Sequence, residues 1–148
     1  MKGERGFTLI ELLITTAITG LIVSGLGTAM HHIVTTTDYS DDRMTAMQEL
    51  QNAAHWVRID GQSASTASGG DELVLTLPDD STITYAVVGT ELRRTAGESQ
   101  MTVAQNITSA SFAIEDRVIT MTLTSSPEGR WNVSEQGTYQ TCLRPTEE

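Results

Sequence analysis

The stretch Gly6-Phe7-Thr8-Leu9-Ile10-Glu11-Leu12-Leu13 lies near the start of the chain and decides how the rest is interpreted. Five residues precede it, including Lys2 and Arg5, and an apolar run follows it to position 30, with Glu11 as its single charge. A helix needs about 20 mostly apolar residues to cross a bilayer. The pattern therefore predicts a membrane-spanning helix over residues 7–30, with the basic leader on the cytoplasmic side.

The leader differs from an ordinary secretory signal. In such a signal, small residues at the cleavage site follow the apolar core, whereas Gly6 precedes the apolar run. Cleavage after Gly6 would remove residues 1–6 as a leader peptide. The apolar helix would then remain in the mature protein.

Glu11 needs an explanation, because a carboxylate within a membrane helix costs about 2.5–3.5 kcal/mol on insertion scales. Cleavage after Gly6 would create an amine on Phe7, one helical turn before Glu11. That amine, or the one on a neighbouring copy, is a candidate partner for the carboxylate. The alternative is a carboxyl group that lies at the membrane interface or is protonated.

The stretch resembles the class III signal of type IV prepilins and of type II secretion pseudopilins, and the resemblance covers about the first fifth of the chain. It implies that a membrane peptidase cuts between Gly6 and Phe7 and methylates Phe7. It also implies that Glu11 is the assembly carboxylate, which neutralises the terminal amine of the adjacent subunit.

The same resemblance implies the protein's location and partners. The chain would be a single-pass protein of the inner (cytoplasmic) membrane, with its C-terminal domain extracytoplasmic, and it would later enter an assembled pilus or pseudopilus. Its partners would be the prepilin peptidase/methyltransferase, other pilin or pseudopilin subunits, and the pilus or secretion assembly platform.

Composition limits the remainder of the chain. The residues after the anchor suffice for one small domain with a single core. The formal net charge of −10 repels phosphates, so no nucleic acid partner is expected. Cys142 is the single cysteine, which excludes a disulfide within the chain and a cysteine-based metal site. We expect it to be a partly buried small apolar residue rather than an intermolecular bridge.

Residues 31–60 are predicted to continue the helix as an amphipathic segment, with Gly61 as its stop. Residues 61–148 are predicted to form an antiparallel β-sheet domain with a polar tail, in which residues 62–70 are a loop. The face of the helix expected to pack on the sheet carries Met47, Leu50, Ala54 and Val57.

Alternating apolar residues mark the strands. Leu73, Leu75 and Leu77 alternate with smaller or polar residues, the turn Pro78-Asp79-Asp80-Ser81 follows, and alternation resumes at residues 83–87, which predicts a hairpin. Further strands are predicted near residues 92, 101–107, 110–114 and 119–123, and a last edge strand at Trp131 and Val133. The fold class is therefore α+β, a long N-terminal helix packed on a small antiparallel sheet, as in pilins.

A second resemblance concerns the subtype. The order Arg43-Met44, Trp56-Val57-Arg58-Ile59-Asp60 and then the hairpin is similar to minor pilins and minor pseudopilins of the PilW and GspJ kind. Major pilins commonly carry a proline partway down the anchor, and this chain has none before Pro78. Both features imply a minor subunit.

No catalytic site, metal site or cofactor is expected. The three histidines, His31, His32 and His55, do not share one helix face, and no nucleophile is placed beside a base. The pair Asp79-Asp80 is either a solvated turn or a calcium ligand. The segment Gly69-Gly70-Asp71-Glu72-Leu73 resembles the diguanylate cyclase signature, but too little chain surrounds it for that fold, so a loop before a strand is expected.

Two functional hypotheses remain. The first is a structural, non-enzymatic subunit of a type IV pilus or type II secretion pseudopilus. The alternative is a membrane-tethered extracytoplasmic binding domain that does not polymerise. Glu11 discriminates between them, because a monomeric anchor has no use for an acid at that depth.

Overall fold

The computed structural model describes residues 8–145, without the side chains of residues 34–37. The described chain begins with helix α1 (Leu9–Ser63), which is longer than either predicted segment alone and runs through both. The described chain divides into two compact units, one that ends at Asp38 and one that begins at Tyr39. The second unit contains the last part of α1 and all the strands that the structure describes.

The second unit contains two antiparallel sheets in place of the single sheet that we predicted. In both sheets, strands that follow one another in the sequence are neighbours, and the α+β class is confirmed. The first sheet contains β1 (Thr66–Ser68), β2 (Leu73–Thr76), β3 (Thr82–Val88), β4 (Glu91–Ala96) and β5 (Ser99–Ala104). The second contains β6 (Ile107–Glu115), β7 (Val118–Ser125) and β8 (Glu135–Cys142).

The core lies between the last part of α1 and the two sheets. Its largest fully buried side chains come from alternating strand positions, as the sequence predicted for the hairpin of β2 and β3. They are Leu73, Leu75, Tyr85, Leu92, Ile107, Ile119, Met121 and Leu123.

The face of α1 that is buried differs from the predicted face at two of its four positions, and each of the two is shifted by one residue. Met47 is 39% exposed and Ala54 is half-buried. Alanine has no side chain beyond Cβ, so alanines at the contact let the helix approach the sheets more closely than a methionine would. The face that is buried consists of Ala46, Leu50, Ala53 and Val57.

Gly61 does not stop the helix, contrary to the prediction. The helix continues to Ser63, where the Ala64 amide donates to the Gly61 carbonyl at 3.2 Å. A Cβ atom at position 61 would lie 3.1 Å from Thr141 Cγ2 and 3.2 Å from Ile119 Cδ1. The glycine therefore permits close contact between the last helical turn and the second sheet.

The predicted loop over residues 62–70 contains β1 and a backbone bridge between the sheets. Gly70 and Phe112 exchange two backbone hydrogen bonds of 2.8 Å, and Gly70 has a φ of 141°, which favours glycine. A Cβ atom at Gly69 would lie 2.3 Å from the Phe112 carbonyl oxygen. The two glycines of the Gly69-Gly70-Asp71-Glu72-Leu73 segment thus have a structural role, joining the first sheet to β6.

The predicted polar tail is wrong over residues 135–142, which form β8. Trp131 and Val133, which we expected to be the last strand, lie in the connection between β7 and β8. The strand was missed because its half-buried positions are not an apolar series. They are Glu135, Gly137, Tyr139 and Thr141.

The prediction for Cys142 is also wrong. Its position at the end of β8 pairs with Val118, and the side chain is exposed rather than partly buried. Because β8 alternates strictly between half-buried and exposed positions, the residue after the half-buried Thr141 points outward. The thiol therefore does not contribute to the core.

Candidate functional site

The first part of α1 presents apolar side chains on all its faces. Leu12, Leu13 and Ile14 are consecutive, and successive residues of a helix point about 100° apart. All the large apolar residues over positions 9–33 that the structure describes are at least 52% exposed. They are Leu9, Ile10, Leu12, Leu13, Ile14, Ile18, Leu21, Ile22, Val23, Leu26, Met30 and Ile33.

Helix α1 is long and apolar enough near the N-terminus to cross a membrane. A helix that is apolar on every side is typical of a membrane span or of the centre of a helical bundle. A surface helix of a soluble domain would instead show one polar face. The composition of residues 9–33 therefore indicates that lipid or other helices cover this segment.

Threonine hydroxyls in this segment bond to the backbone of their own helix. Thr15 Oγ1 donates to the Glu11 carbonyl at 2.6 Å, Thr19 Oγ1 to the Thr15 carbonyl at 2.8 Å, and Thr28 Oγ1 to the Ser24 carbonyl at 3.1 Å. A hydroxyl that is bonded inside the helix does not need water. These threonines are therefore compatible with an apolar environment.

Three glycines leave open space along the same segment. At Gly20, Gly25 and Gly27, a Cβ atom would meet nothing within 4 Å. Small residues allow the backbones of neighbouring helices to approach closely in a membrane or a bundle. This stretch therefore has room for close helix–helix contact.

Glu11 lies in the first turn of α1, where the helix begins after Thr8. The Thr8 carbonyl accepts from the amides of Glu11 and Leu12 at 3.1 and 3.2 Å, and Thr8 Oγ1 accepts from the Glu11 amide at 3.4 Å. A threonine followed three residues later by a glutamate has the spacing of a capping box. The spacing of Thr8 and Glu11 is therefore a helix start signal in the sequence itself.

The carboxylate of Glu11 is well placed for an electrostatic role. The side chain is exposed, and a negative charge near a helix N-terminus is favoured by the helix dipole. The predicted cleavage site, Gly6 and Phe7, lies outside the described residues. The relation between Glu11 and an amine on Phe7 therefore stays a prediction.

The structure also shows a group of interacting side chains, centred on an ion pair, that the sequence analysis did not predict. Arg94 donates to Asp60 through Nε at 2.6 Å and Nη2 at 3.1 Å, and the Tyr85 hydroxyl also donates to Asp60. The Arg94 guanidinium lies 5.7 Å from the centroid of the Trp56 ring. This group, called here the Asp60 cluster, consists of Trp56, Asp60, Tyr85 and Arg94 and joins the end of α1 to β3 and β4.

The Asp60 cluster has its charges satisfied, and this indicates a structural role. Burial and the hydrogen bond to Asp60 raise the pKa of Tyr85, while the hydrogen bond to Asp60 raises the pKa of Arg94. Both groups therefore hold their protons over the physiological range. The i, i+4 spacing of Trp56 and Asp60 places them on one helix face, which is the signal that sequence reasoning could have used.

The residues considered for metal binding are not gathered into a site. Asp79 Oδ1 accepts from the Ser81 amide at 3.1 Å and from Ser81 Oγ at 2.6 Å, and these bonds lower the pKa of Asp79. The rings of His31 and His32 meet edge to face with centroids 6.5 Å apart. Over residues 8–145, no three His, Cys, Asp or Glu side chains are arranged to hold a metal ion.

Comparison with known proteins adds two findings. Residues 1–27 match the family described as the prokaryotic N-terminal methylation motif. The chain is also similar to type II secretion system protein I of Vibrio cholerae serotype O1, with 27% identity over 73 residues, which are 49% of this chain and 62% of the relative. The match thus spans less than two thirds of that relative's length, and no solved structure matches the chain.

These findings agree with the architecture. The methylation motif covers the beginning of an apolar helix, and that helix leads into an α+β unit. The motif, the similarity to a type II secretion protein and the apolar helix together support a likeness to the pilin and pseudopilin family.

Proposed function

We propose that this chain is a minor structural subunit of a type II secretion pseudopilus or a type IV pilus. One observation carries the proposal: the methylation motif leads into a helix that is apolar on every side and has Glu11 in its first turn. The name of the Vibrio cholerae relative favours the secretion pseudopilus. The closer likeness to the PilW and GspJ kind stays a prediction.

In the proposed pathway, the prepilin peptidase/methyltransferase cuts between Gly6 and Phe7 and methylates the new amine of Phe7. Residues 7–30 then anchor the chain in the inner membrane, with residues 31–60 as the amphipathic continuation and residues 61–148 as the extracytoplasmic sheet domain. The assembly platform transfers the anchor from the membrane into a filament of pilin or pseudopilin subunits. No nucleic acid partner or enzymatic activity is part of this role.

Electrostatics explain why assembly would use Glu11. A carboxylate is costly in lipid, by about 2.5–3.5 kcal/mol at a helix centre and less near a helix end, where Glu11 lies. Opposite charges 4 Å apart attract by about 4 kcal/mol at an effective dielectric of 20. The charged amine of Phe7 on a neighbouring subunit would therefore offset the cost of the carboxylate, and the subunit would be more stable in the filament than alone in the membrane.

Processing is tested by the intact mass and N-terminal sequence of the protein purified from membranes of its native host. We expect a chain that begins at methylated Phe7. A chain that retains Met1, or that has lost the apolar helix, would contradict the proposal. In that case the alternative of a tethered binding domain or a secreted domain would apply.

Assembly is tested by Glu11→Gln, which removes the charge and keeps the shape of the side chain. We expect the variant to be processed normally but to be lost from sheared filaments or from cross-linked filament ladders. The matched control is Asp41→Asn, which removes an exposed carboxylate from α1 outside the apolar segment and should leave incorporation unchanged. Normal incorporation of Glu11→Gln would remove the proposed role of Glu11.

A further inference from the structure

The two sheets leave four edges, and three of them are short, irregular or covered. Strand β1 has three residues, and the pairing of β5 with β4 shifts register at Leu92 and Arg93. Strand β6 has a register shift near Ile107, and backbone bonds from Gly70 and Thr90 reach it. Short strands, bulges and covering segments are the usual ways to prevent unwanted pairing at a sheet edge.

The edge at β8 is neither short nor irregular, although α1 runs along the strand. Its eight residues pair with β7 in a continuous register, and no described strand pairs with its other side. The strand contains no proline or lysine, and Glu135 is its only charged residue. A long, regular and nearly uncharged edge is a template for another extended chain.

A groove runs beside this edge, under α1. The helix lies along β8, because Arg43 bonds to Glu135 at 2.8 Å near one end of the strand and Gly61 lies against Thr141 near the other. The groove has a volume of about 350 Å³, and its half-buried apolar lining includes Ala54 and Tyr139, while Val57, Ile119 and Met121 are almost fully buried within it. It therefore offers some apolar surface next to the side chains of β8.

The groove also contains an unsatisfied polar atom. Thr141 Oγ1 is buried and has no hydrogen-bond partner among the described residues. A buried polar group without a partner costs about 1–3 kcal/mol, and an arriving carbonyl could remove that cost. This hydroxyl indicates that a hydrogen-bonding chain fits the groove better than a purely apolar ligand.

The charge of the groove is opposite to that of the whole chain. Among the described residues of its lining, Arg58 alone has a formal charge, and His55 lies beside it with its ring nitrogen 3.5 Å from the guanidinium. None of these described lining residues is a carboxylate, although the chain carries a net charge of −10. An occupant with an acidic group near Arg58 would therefore be complementary.

We propose that β8 and the adjoining groove form a docking site for an extended segment of another protein. The segment would add a strand to the second sheet, place alternate apolar side chains in the groove and bring a carboxylate to Arg58. This site goes beyond the proposed filament role, and it depends neither on cleavage after Gly6 nor on Glu11.

The test uses the full chain in detergent micelles and a defined probe, the capped nonapeptide Asp-Thr-Val-Thr-Ile-Thr-Val-Thr-Asp, in which both acids share one face with the apolar residues. An acid at both ends serves either strand direction. We expect the peptide to slow hydrogen exchange at least fivefold at the β8 amides that point away from β7, with β5 unchanged. A peptide with lysine in place of both acids should bind at least threefold more weakly, and one with proline in place of isoleucine should not protect β8.

The charge preference makes the test stringent, because the net charge of the chain would favour the lysine peptide in non-specific binding. Arg58→Glu should reverse the preference, while Arg130→Glu, the same charge change in the connection between β7 and β8, should not. No protection of β8 at 1 mM peptide, or a preference for lysine, would overturn the proposal. If the protection of β8 rises with protein concentration in the absence of peptide, the occupant is a second copy of this chain. That result would also overturn the proposal.

Discussion

The Asp60 cluster allows a quantitative test of how the end of α1 is held to the first sheet. In Arg94→Met, the two hydrogen bonds to Asp60 and the positive charge are lost, while an unbranched side chain remains beside Trp56. The side chains of Arg94 and Asp60 are 19% and 9% exposed, so the variant leaves an acid with little access to water. Removing one partner of a buried ion pair costs about 3–5 kcal/mol.

We expect a loss of about 3 kcal/mol in the free energy of unfolding, at the lower end of that range. The Tyr85 hydroxyl still donates to Asp60 in the variant, and the pair is not fully buried in the parent protein. For a urea dependence of about 2 kcal/mol per molar, the midpoint should fall by about 1.5 M.

The assay is urea unfolding of the full chain in detergent micelles, followed by tryptophan fluorescence. A Trp131→Phe background leaves Trp56, which contacts the cluster, as the single reporter. The matched control is Arg93→Met. Arg93 is the neighbouring residue on β4 and pairs with Glu91 at 3.0 Å, but the two side chains are 41% and 36% exposed, so the loss should stay below about 1 kcal/mol.

Two results would refute this reasoning. The first is a loss for Arg94→Met that is no larger than the loss for Arg93→Met. The second concerns the double variant Asp60→Asn with Arg94→Met, in which no charge is left stranded. It should be more stable than the sum of the two single losses predicts, and simple additivity would show that the two side chains are not coupled.

Two further predictions concern pH and packing. Because the pKa of Tyr85 is raised by burial and by Asp60, its stabilising contribution is complete below the unfolded pKa of about 10 and declines above it, by about 1.4 kcal/mol per pH unit. Tyr85→Phe should flatten this alkaline loss in urea titrations at pH 9–11, and an unchanged slope would contradict the assignment. Gly69→Ala places a Cβ atom 2.3 Å from the Phe112 carbonyl oxygen and should break the bridge between the sheets. We expect the free energy of unfolding to fall by about 1–3 kcal/mol. Gly20→Ala, with open space around it, should not destabilise the sheets.

The elements that were predicted correctly are those in which a local pattern is enough. The apolar helix follows from composition alone, and the hairpin of β2 and β3 follows from alternation and from a turn with Pro78. The register of that hairpin places Leu73 opposite Tyr85 and Leu75 opposite Ile83. All four are buried, so the apolar residues of each strand correctly identify the face that points into the core.

The elements that were missed depend on residues far away in the sequence. Strand β8 has no apolar alternation of its own, because α1 and the ring of Tyr139, which lies over Gly137, supply part of its cover. Asp60 looked like the polar end of a helix, and its role depends on Arg94, 34 residues later. Ala46 and Ala53 are buried and Met47 is exposed, and this outcome likewise depends on how closely the sheets approach the helix.

Helix α1 combines two surfaces with different needs. Residues 39–63 bury one face against the sheets, whereas twelve large apolar side chains over residues 9–33 remain more than half exposed in the described chain. At about 1 kcal/mol for each side chain, their exposure to water would cost on the order of 10 kcal/mol, comparable to the net stability of a typical domain.

Lipid and neighbouring apolar helices can both remove that cost, and the internally bonded threonines suit both environments. In the proposed filament, Glu11 would make the two environments unequal, because lipid offers its carboxylate no partner and the amine of a neighbouring Phe7 would. Exchange of lipid for a bundle of helices, as the proposed function requires, would therefore be favoured at Glu11, the one formally charged position of the apolar segment over residues 9–33.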